Sequence, residues 1–181
     1  MSELKYNHLS DEFAKDLLKI WADEEVIKYT NIKKPCTLVE IKDKINTLKD
    51  FDVFIVSDKD GVIGIIGCPC IDKEKLQFGL FYQFCKSSWG KGYATKSTKW
   101  LLEFMREKYD EITLFADVVQ DNVASEKILR YFGFKFVSED DCFERNGVKM
   151  KIHNYRLWLQ YSVSIKLGYY WLDKIPLKKG Q

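Results

Sequence analysis

Apolar and polar positions follow two different periods along this chain. Several segments repeat apolar residues every three or four positions, which is the spacing of an amphipathic helix. Other short runs are rich in Val, Ile and Phe, which is typical of strands. The predicted order is a strand, three helices, three strands, a helix, a strand, a helix and two strands. This order favours one mixed α/β (α+β) domain over a regular alternation of strands and helices.

Capping and breaking residues predict where the helices begin and end. Each helix is expected to start at a residue that caps or permits the first turn, and the last one stops at a glycine. The expected features are Ser10 or Asp11 as cap of the first helix, a short helix over residues 24–29, Thr37 opening the third, entry to the fourth at about Tyr93, and a fifth over residues 122–132 before Gly133.

The strands are predicted from β-branched and aromatic runs bounded by turn residues. They cover residues 4–9, 51–58, 61–71, 76–84, 112–118, 134–137 and about 148–159. We expect a hairpin turn at residues 58–61 and another at Arg145-Asn146-Gly147. Residues 1–160 then form the domain, and residues 161–181 form a tail that docks on the body or on a partner.

Composition narrows the class of protein. The chain has 181 residues, of which 46% are hydrophobic and 31% charged, as expected for one soluble domain. Its formal net charge of +2 gives no reason to expect nucleic acid or an anionic membrane as a partner. The longest apolar run, around residues 62–71, is too short to span a bilayer, and the N-terminus lacks the apolar segment of a signal peptide. We expect a cytoplasmic protein.

The five cysteines are scattered and odd in number, which argues against a disulfide framework. Cys68 and Cys70 are two residues apart on a predicted strand, so they are expected to share one face as ordinary packing residues. Only two histidines accompany them, and no second cysteine pair is present. The sequence therefore predicts no metal site.

The stretch SWGKGYATKS, residues 88–97, resembles a phosphate-binding loop and has two functional interpretations. A nucleoside-triphosphate loop requires glycine before its lysine, but Thr95 occupies that position. It also requires a Mg²⁺-binding aspartate after another strand, and Asp117 comes too early in its strand. The nucleotide interpretation is therefore disfavoured.

A pyrophosphate turn for a coenzyme agrees better with the same residues. Gly90 and Gly92 let the main chain approach a ligand, and a helix entered at Tyr93 directs amide groups and a positive dipole end at it. Lys91 adds charge, whereas Lys96 and Ser97 are expected inside the helix, past the phosphates. The remaining alternative is a glycine-rich turn that only links a strand to a helix.

A second motif, Asn122 to Ser125 followed by Gly133-Phe134, joins the first one, and here the chain resembles the GNAT acetyltransferase superfamily. The family signature for acetyl-CoA binding is Q/R-x-x-G-x-G/A, matched by Trp89-Gly90-Lys91-Gly92-Tyr93-Ala94. Trp89 stands in place of Gln or Arg. This departure, in the form WGKGYAT, is typical of the branch that contains the ribosomal-protein N-terminal acetyltransferases. The resemblance covers about residues 3–160 and implies a mixed, mostly antiparallel sheet of six to seven strands flanked by helices.

The resemblance also implies the reaction and its participants. The implied activity is direct transfer of an acetyl group from acetyl-CoA to an amine, by a monomer or homodimer without a metal. The strand before the turn would bind the pantetheine arm through its main chain, and the turn and the next helix would bind the rest of the coenzyme. The implied coenzyme contacts are Tyr82, Phe84, Cys85, Trp89, Gly90, Lys91, Gly92, Tyr93, Ala94, Thr95, Asn122 and Ser125.

Two departures from the family concern catalysis. Many members carry a tyrosine at the position of Leu129 that protonates the leaving thiolate, so Ser125, with Asn122 beside it, is the expected catalytic substitute. Asn122 alternatively serves only as a helix cap. The glutamate that often acts as base is also missing, since Gln77 or Gly79 occupies its place. The sequence leaves three alternatives for the base. A water chain or a carboxylate such as Glu25 takes its place, or the activity is lost and the domain is an acyl-CoA-binding sensor or scaffold.

Overall fold

The computed structural model describes residues 3–145 and 147–160, which form two β-sheets with helices on both faces. The first sheet is antiparallel, with the order β1-β2-β3-β6. The second has the order β4-β5-β7-β9-β8, in which only the β5–β7 pair is parallel. The strands are β1 (Lys5–His8), β2 (Asp52–Asp58), β3 (Gly61–Cys68), β4 (Cys70–Asp72), β5 (Gln77–Gly79), β6 (Phe81–Phe84), β7 (Glu111–Val119), β8 (Lys135–Arg145) and β9 (Val148–Gln160).

Two apolar cores cover opposite faces of the first sheet, and one of them extends onto the second sheet. Residues of α1 and α3, among them Ile41 and Ile45, pack on Ile55 and Ile65 of the first sheet. Residues of α4 and α5 join side chains from both sheets in the second core. The helices are α1 (Ala14–Trp21), α2 (Glu24–Ile27), α3 (Leu38–Leu48), α4 (Tyr93–Lys108) and α5 (Val123–Tyr131).

The third helix begins where its capping residues predict. The Thr37 hydroxyl accepts a hydrogen bond from the Glu40 amide, and the Glu40 carboxylate accepts one from the Thr37 amide at 2.7 Å. This reciprocal pair satisfies two amides that the helix itself leaves unpaired. At the other predicted boundary, Gly133 follows α5 with φ of 85°, as a C-cap glycine requires.

The predicted strand over residues 76–84 is wrong in one important respect. The chain leaves the second sheet after Gly79 and enters the first at Phe81, so that one apolar run supplies two strands in two sheets. Leu80, between them, donates its amide to the Phe115 carbonyl at 2.7 Å. Nothing in the alternation of the run marks this division.

Other boundaries also differ from the sequence interpretation. Pro69 has no amide proton and separates β3 from β4, so Cys68 and Cys70 lie on different strands. The predicted strand over residues 134–137 is the start of the much longer β8, whose pairing with β9 contains two irregularities. Ser10 caps no helix through its side chain, and α2 is shorter than expected. Because of these divisions, the described residues contain nine strands rather than six to seven, while the predicted mixed α/β architecture is confirmed.

Within the described part of the chain, no helix has the length and apolar character to cross a membrane. The predicted tail, residues 161–181, lies outside the described residues, as does Asn146 of the predicted turn.

Candidate active site

The two sheets separate along a wedge between β6 and β7. The bond from the Leu80 amide to the Phe115 carbonyl is the last link between these parts of the chain. Beyond it, β6 pairs with β3, whereas β7 pairs with β9. The described strands β6 and β7 therefore face each other without pairing, and their polar main-chain groups line the gap between them.

The alternation of the ladders identifies these main-chain groups. On β6, the Cys85 amide donates to the Ile63 carbonyl at 2.8 Å, so the main-chain groups of Tyr82 and Phe84 point the other way, into the wedge. On β7, the Thr113 amide bonds the Leu76 carbonyl at 3.1 Å, and the same alternation directs the Asp117 main chain into the wedge. Amides at this position can bind an amide-containing chain or polarise a carbonyl.

A cavity of about 1170 Å³ follows the wedge. Most of the residues predicted from the family signature line it, although they come from three separate elements. These are Tyr82, Phe84, Trp89, Gly90, Gly92, Tyr93, Ala94, Thr95, Asn122 and Ser125. Cys85 and Lys91 do not line it, because the Cys85 side chain packs with the α1–α3 core and Lys91 is exposed on the turn.

The turn before α4 has the geometry of an anion-binding site. Gly90 and Gly92 have φ of 72° and 75°, a region that side chains other than glycine adopt at a cost. The first intrahelical hydrogen bond runs from the Lys96 amide to the Gly92 carbonyl, so the Ala94 and Thr95 amides precede the helical ladder. A Cβ on either glycine would meet no protein atom within 4 Å. The turn thus offers open space beside the positive end of a helix.

Trp89 connects this turn to β6. Its indole Nε1 donates to the Phe84 carbonyl at 2.8 Å, while 47% of the side chain remains exposed. The Phe84 carbonyl is one of the groups that the β3 ladder leaves unpaired. Trp89 therefore holds the glycine turn at the mouth of the wedge and also presents an apolar surface to the cavity.

The start of α5 supplies the polar residues of the second motif. The Asn122 side chain caps the helix, because its Oδ1 accepts from the Ser125 amide at 3.2 Å. Ser125 lines the cavity one turn into the helix. Leu129 is buried in the core and has no hydroxyl. Tyr131 is 76% exposed, so its hydroxyl is directed to solvent and not toward the wedge.

The Tyr82 hydroxyl is a group that the sequence interpretation missed, since that interpretation used only its main chain. The hydroxyl oxygen is fully buried and lies beside Ser125. No group among the described residues meets the geometry of a hydrogen bond to it. Burial raises the pKa of Tyr82, and the nearby Ser125 side chain opposes this increase. A neutral phenol therefore faces the inner part of the wedge.

Asp117 is the second missed residue. Its side chain is exposed to the cavity, on the opposite face of β7 from the buried Ala116 and Val118. The surrounding protein removes enough water to raise its pKa, and the negative charge of Asp140 on β8 raises it further. Asn154 lies between them as register partner of Asp117 on β9 and donates to Asp140 Oδ2 at 2.6 Å. The break in the apolar pattern of β7 was the available signal.

The segment after α2 forms the wall opposite β7. Arg145, near the end of β8, donates from Nη2 to the carbonyls of Ile27, Thr30 and Ile32, at 3.1, 3.1 and 2.5 Å. Three carbonyls that converge on one guanidinium nitrogen fix the path of this segment. On the same side, the Trp21 indole donates to the Gln83 side chain, which joins α1 to β6.

The two positions where a family glutamate was expected carry no carboxylate. Gln77 pairs with Thr113 at the far end of β5 and does not line the cavity. Gly79 does line it, and a Cβ there would lie 3.4 Å from the Ile71 side chain. The cavity obtains its carboxylates elsewhere, from Glu25, Asp117 and Asp121.

Comparison with known proteins agrees with this geometry. The family model described as an acetyltransferase (GNAT) domain matches residues 4–135. A Bacillus licheniformis protein named uncharacterized N-acetyltransferase p20 is 29% identical over 132 residues, which cover 68% of this chain and 74% of the relative.

Solved structures of low sequence identity share the fold. RimL, a ribosomal L7/L12 alpha-N-protein acetyltransferase in complex with coenzyme A, superimposes with a TM-score of 0.79 at 13% identity over 88% of this chain and 96% of its own. A spermidine N-acetyltransferase from Vibrio cholerae in complex with CoA and spermine gives 0.77 at 15% identity over 87% and 97%.

Proposed function

Because the chain belongs to the GNAT acetyltransferase family, it is an acetyl-CoA-dependent acetyltransferase, and we propose that it transfers the acetyl group directly to a primary amine. The observation that carries this proposal is the wedge between β6 and β7, which has a helix N-terminus at one end and an exposed carboxylate on one face. The amine belongs to a small molecule or to a protein N-terminus. Both kinds of acceptor are named among the structural neighbours.

The residues of the wedge and turn are suited to acetyl-CoA. The amides of Ala94 and Thr95 would bind the pyrophosphate, with the open glycine turn leaving room for it. The main-chain groups of Tyr82, Phe84 and Asp117 would bind the pantetheine arm and polarise the thioester carbonyl. Coenzyme contact by Asn122 remains part of this proposal, since its cap uses only the amide oxygen and leaves the amide nitrogen available.

Asp117 is the proposed general base. An amine attacks only when neutral, and a free alkylamine is protonated at neutral pH, so a group near the wedge must accept its proton. The raised pKa of Asp117 makes it a stronger base than an ordinary aspartate. Glu25 and Asp121 line the same cavity, where Lys44 supplies the one ammonium group among the described residues, and this balance favours a cationic acceptor.

Activity is tested by measuring CoA release with three acceptors. They are a polyamine, a peptide with a free N-terminus and no lysine, and an N-terminally blocked peptide with one lysine. We expect one class to be acetylated, with the product confirmed by mass. Asp117→Asn should lower kcat/KM by about 100-fold or more while acetyl-CoA affinity is unchanged. Asp43→Asn, exposed on α3 outside the cavity, is the control. Full activity of Asp117→Asn would exclude it as the base.

An acyl-CoA-binding domain without catalysis is the second candidate, favoured by the missing carboxylate at Gln77 and Gly79. Calorimetry separates the two, since this candidate binds acetyl-CoA but releases no CoA with any amine. Binding of ATP instead of acetyl-CoA would contradict both.

The protein is further proposed to act in the cytoplasm, as a monomer or homodimer. Cys36, Cys68, Cys70 and Cys85 are free thiols in the described structure, which supports a reducing compartment.

A further inference from the structure

The helix α5 supplies no phenol to the inner part of the wedge. Leu129 is buried among apolar residues, and Tyr131 is exposed to solvent. Ser125 is the α5 hydroxyl that lines the cavity there. An aliphatic hydroxyl is a weaker acid than a phenol, and a departing thiolate requires a proton or a strong hydrogen-bond donor.

The strand β6 supplies the phenol instead. Tyr82 and Phe84 point to the α4–α5 side of the first sheet, where both belong to the core that Leu129 completes. The buried Tyr82 hydroxyl lies beside the Ser125 side chain, and no described residue reaches full hydrogen-bond geometry with it. A buried hydroxyl that lacks a well-formed hydrogen bond destabilises the free protein, because its water is lost and not fully replaced. Such a group is expected where a ligand supplies the missing partner.

We propose that the Tyr82 hydroxyl protonates the sulfur that leaves when the acetyl group is transferred. This proposal rests on the proposed function. The amine nitrogen forms a bond to the thioester carbon, and the carbon–sulfur bond breaks with its electron pair on sulfur. Tyr82 gives its proton to that sulfur, Asp117 receives the proton that nitrogen loses, and the tyrosinate regains a proton from solvent through Ser125. No other reactant is consumed.

The two proton transfers then occur on opposite faces of the wedge. Asp117 lies on the face of β7 opposite the α4–α5 core, whereas Tyr82 lies on the α4–α5 side of the first sheet. Burial raises the pKa of Tyr82, and the same burial disfavours a bare thiolate beside it and so also raises the pKa of the thiol.

The substitution Tyr82→Phe tests this role, because it removes the hydroxyl and keeps the ring against Phe84. We expect kcat to fall by about 100-fold, with unchanged acetyl-CoA affinity and a melting temperature equal to or above that of the wild type. Tyr131→Phe makes the same chemical change on an exposed ring and should leave kcat unaltered. If Tyr82→Phe keeps more than about a third of kcat, or loses stability in parallel with activity, the proposal is wrong.

Titration of bound CoA gives a readout that needs no acceptor. Thiolate absorbance is followed against pH for CoA bound to the wild type, Tyr82→Phe and Tyr131→Phe. A phenol that donates to sulfur stabilises the thiolate, so the thiol pKa should rise by about one unit in Tyr82→Phe alone. An identical thiol pKa in all three proteins would overturn the inference even if amine acetylation is confirmed. A higher thiol pKa in Tyr82→Phe without acetylation of any amine would instead support the contact between Tyr82 and the sulfur but contradict the proposed acetyltransferase activity.

Discussion

At the scale of single residues, two glycines allow the effect of a left-handed backbone on stability to be distinguished from its effect on ligand binding. Gly92 and Gly147 have nearly equal φ, 75° and 76°, and a Cβ on either would meet nothing within 4 Å. Only Gly92 lines the cavity. Substitution of either glycine should therefore cause the same backbone strain, but only substitution of Gly92 should affect a ligand in the cavity.

The first prediction uses this pair. Gly92→Ala and Gly147→Ala should each lower the free energy of unfolding by about 1 kcal/mol, the cost of a left-handed alanine. Only Gly92→Ala should also weaken acetyl-CoA binding, because the added methyl occupies the approach to the α4 amides. Denaturant unfolding and calorimetry measure the two effects. Equal acetyl-CoA affinity in both variants would show that the turn is not the pyrophosphate site.

Sequence reasoning recognised residues that act through short-range motifs and missed those that act through tertiary contacts. The glycines and Asn122 are identified by spacing alone. Tyr82 and Ser125 are far apart along the chain, and no local pattern brings the phenol of one to the hydroxyl of the other. Likewise, the effect of Asp140 on Asp117 depends on β8 extending well beyond its predicted end.

At the scale of elements, the capping box makes α3 sensitive to pH. The main-chain and side-chain donors of Thr37, followed by Lys34, lower the pKa of Glu40 to about 2. A lowered pKa in the folded protein stabilises it above the ordinary glutamate value, and this contribution is lost as pH falls toward 2.

We therefore expect Glu40→Gln, which keeps an acceptor but removes the charge, to be less stable than the wild type at neutral pH. The difference in the free energy of unfolding should be constant above about pH 5 and shrink as pH falls from there. Urea unfolding at a series of pH values measures it, with Glu103→Gln on the exposed face of α4 as control. A difference that does not change with pH would contradict the charge-based explanation.

Arg145 connects the tip of one hairpin to the segment after α2, and we propose that this segment forms the acceptor wall, the part of the cavity that binds the amine. Arg145→Met should release the segment after α2 while preserving an unbranched apolar stem. We expect the KM for the amine to rise about tenfold, the size of one charged hydrogen bond, with acetyl-CoA affinity unchanged. Steady-state kinetics with each substrate varied in turn distinguishes this from a loss of acetyl-CoA binding, which would contradict the assignment of this wall to the acceptor.

Predicted elements were most accurate where local rules decide the boundary. Thr37 and Glu40 form a recognisable cap, and Gly133 ends α5 as expected. The run that contains Leu80 gave no such signal, because both halves are apolar and β-prone. Its division depends on which neighbouring strand each half pairs with, and pairing between distant strands is not encoded in a local pattern.

At the scale of the whole molecule, the wedge lies between two sheets that share few direct links in the described part of the chain. The described chain connects them through the Leu80–Phe115 hydrogen bond, the short β3–β4 and β5–β6 passages, and the core under α4 and α5. A ligand that hydrogen-bonds to the main chain of both β6 and β7 would link the two strands, which do not bond to each other directly.

Acetyl-CoA should accordingly stabilise the protein as a unit. At 100 times its dissociation constant, we expect about 2.7 kcal/mol of added stability and a rise in melting temperature of about 5–10 °C. Hydrogen exchange should slow at the amides of Tyr82 and Asp117, on both sides of the wedge. ATP at the same concentration serves as the control, and protection confined to one sheet would contradict binding between them.

The Arg145 contacts also have a consequence for how such a protein diversifies. Arg145 holds residues 27–32 from a hairpin that is separate from the glycine turn, so we expect a lineage to be able to alter residues 27–32 and the β8 tip together without changing the turn. Exchange of these two segments between relatives should carry substrate preference with it. Such an exchange that leaves substrate preference unchanged would contradict a role of these segments in binding the amine.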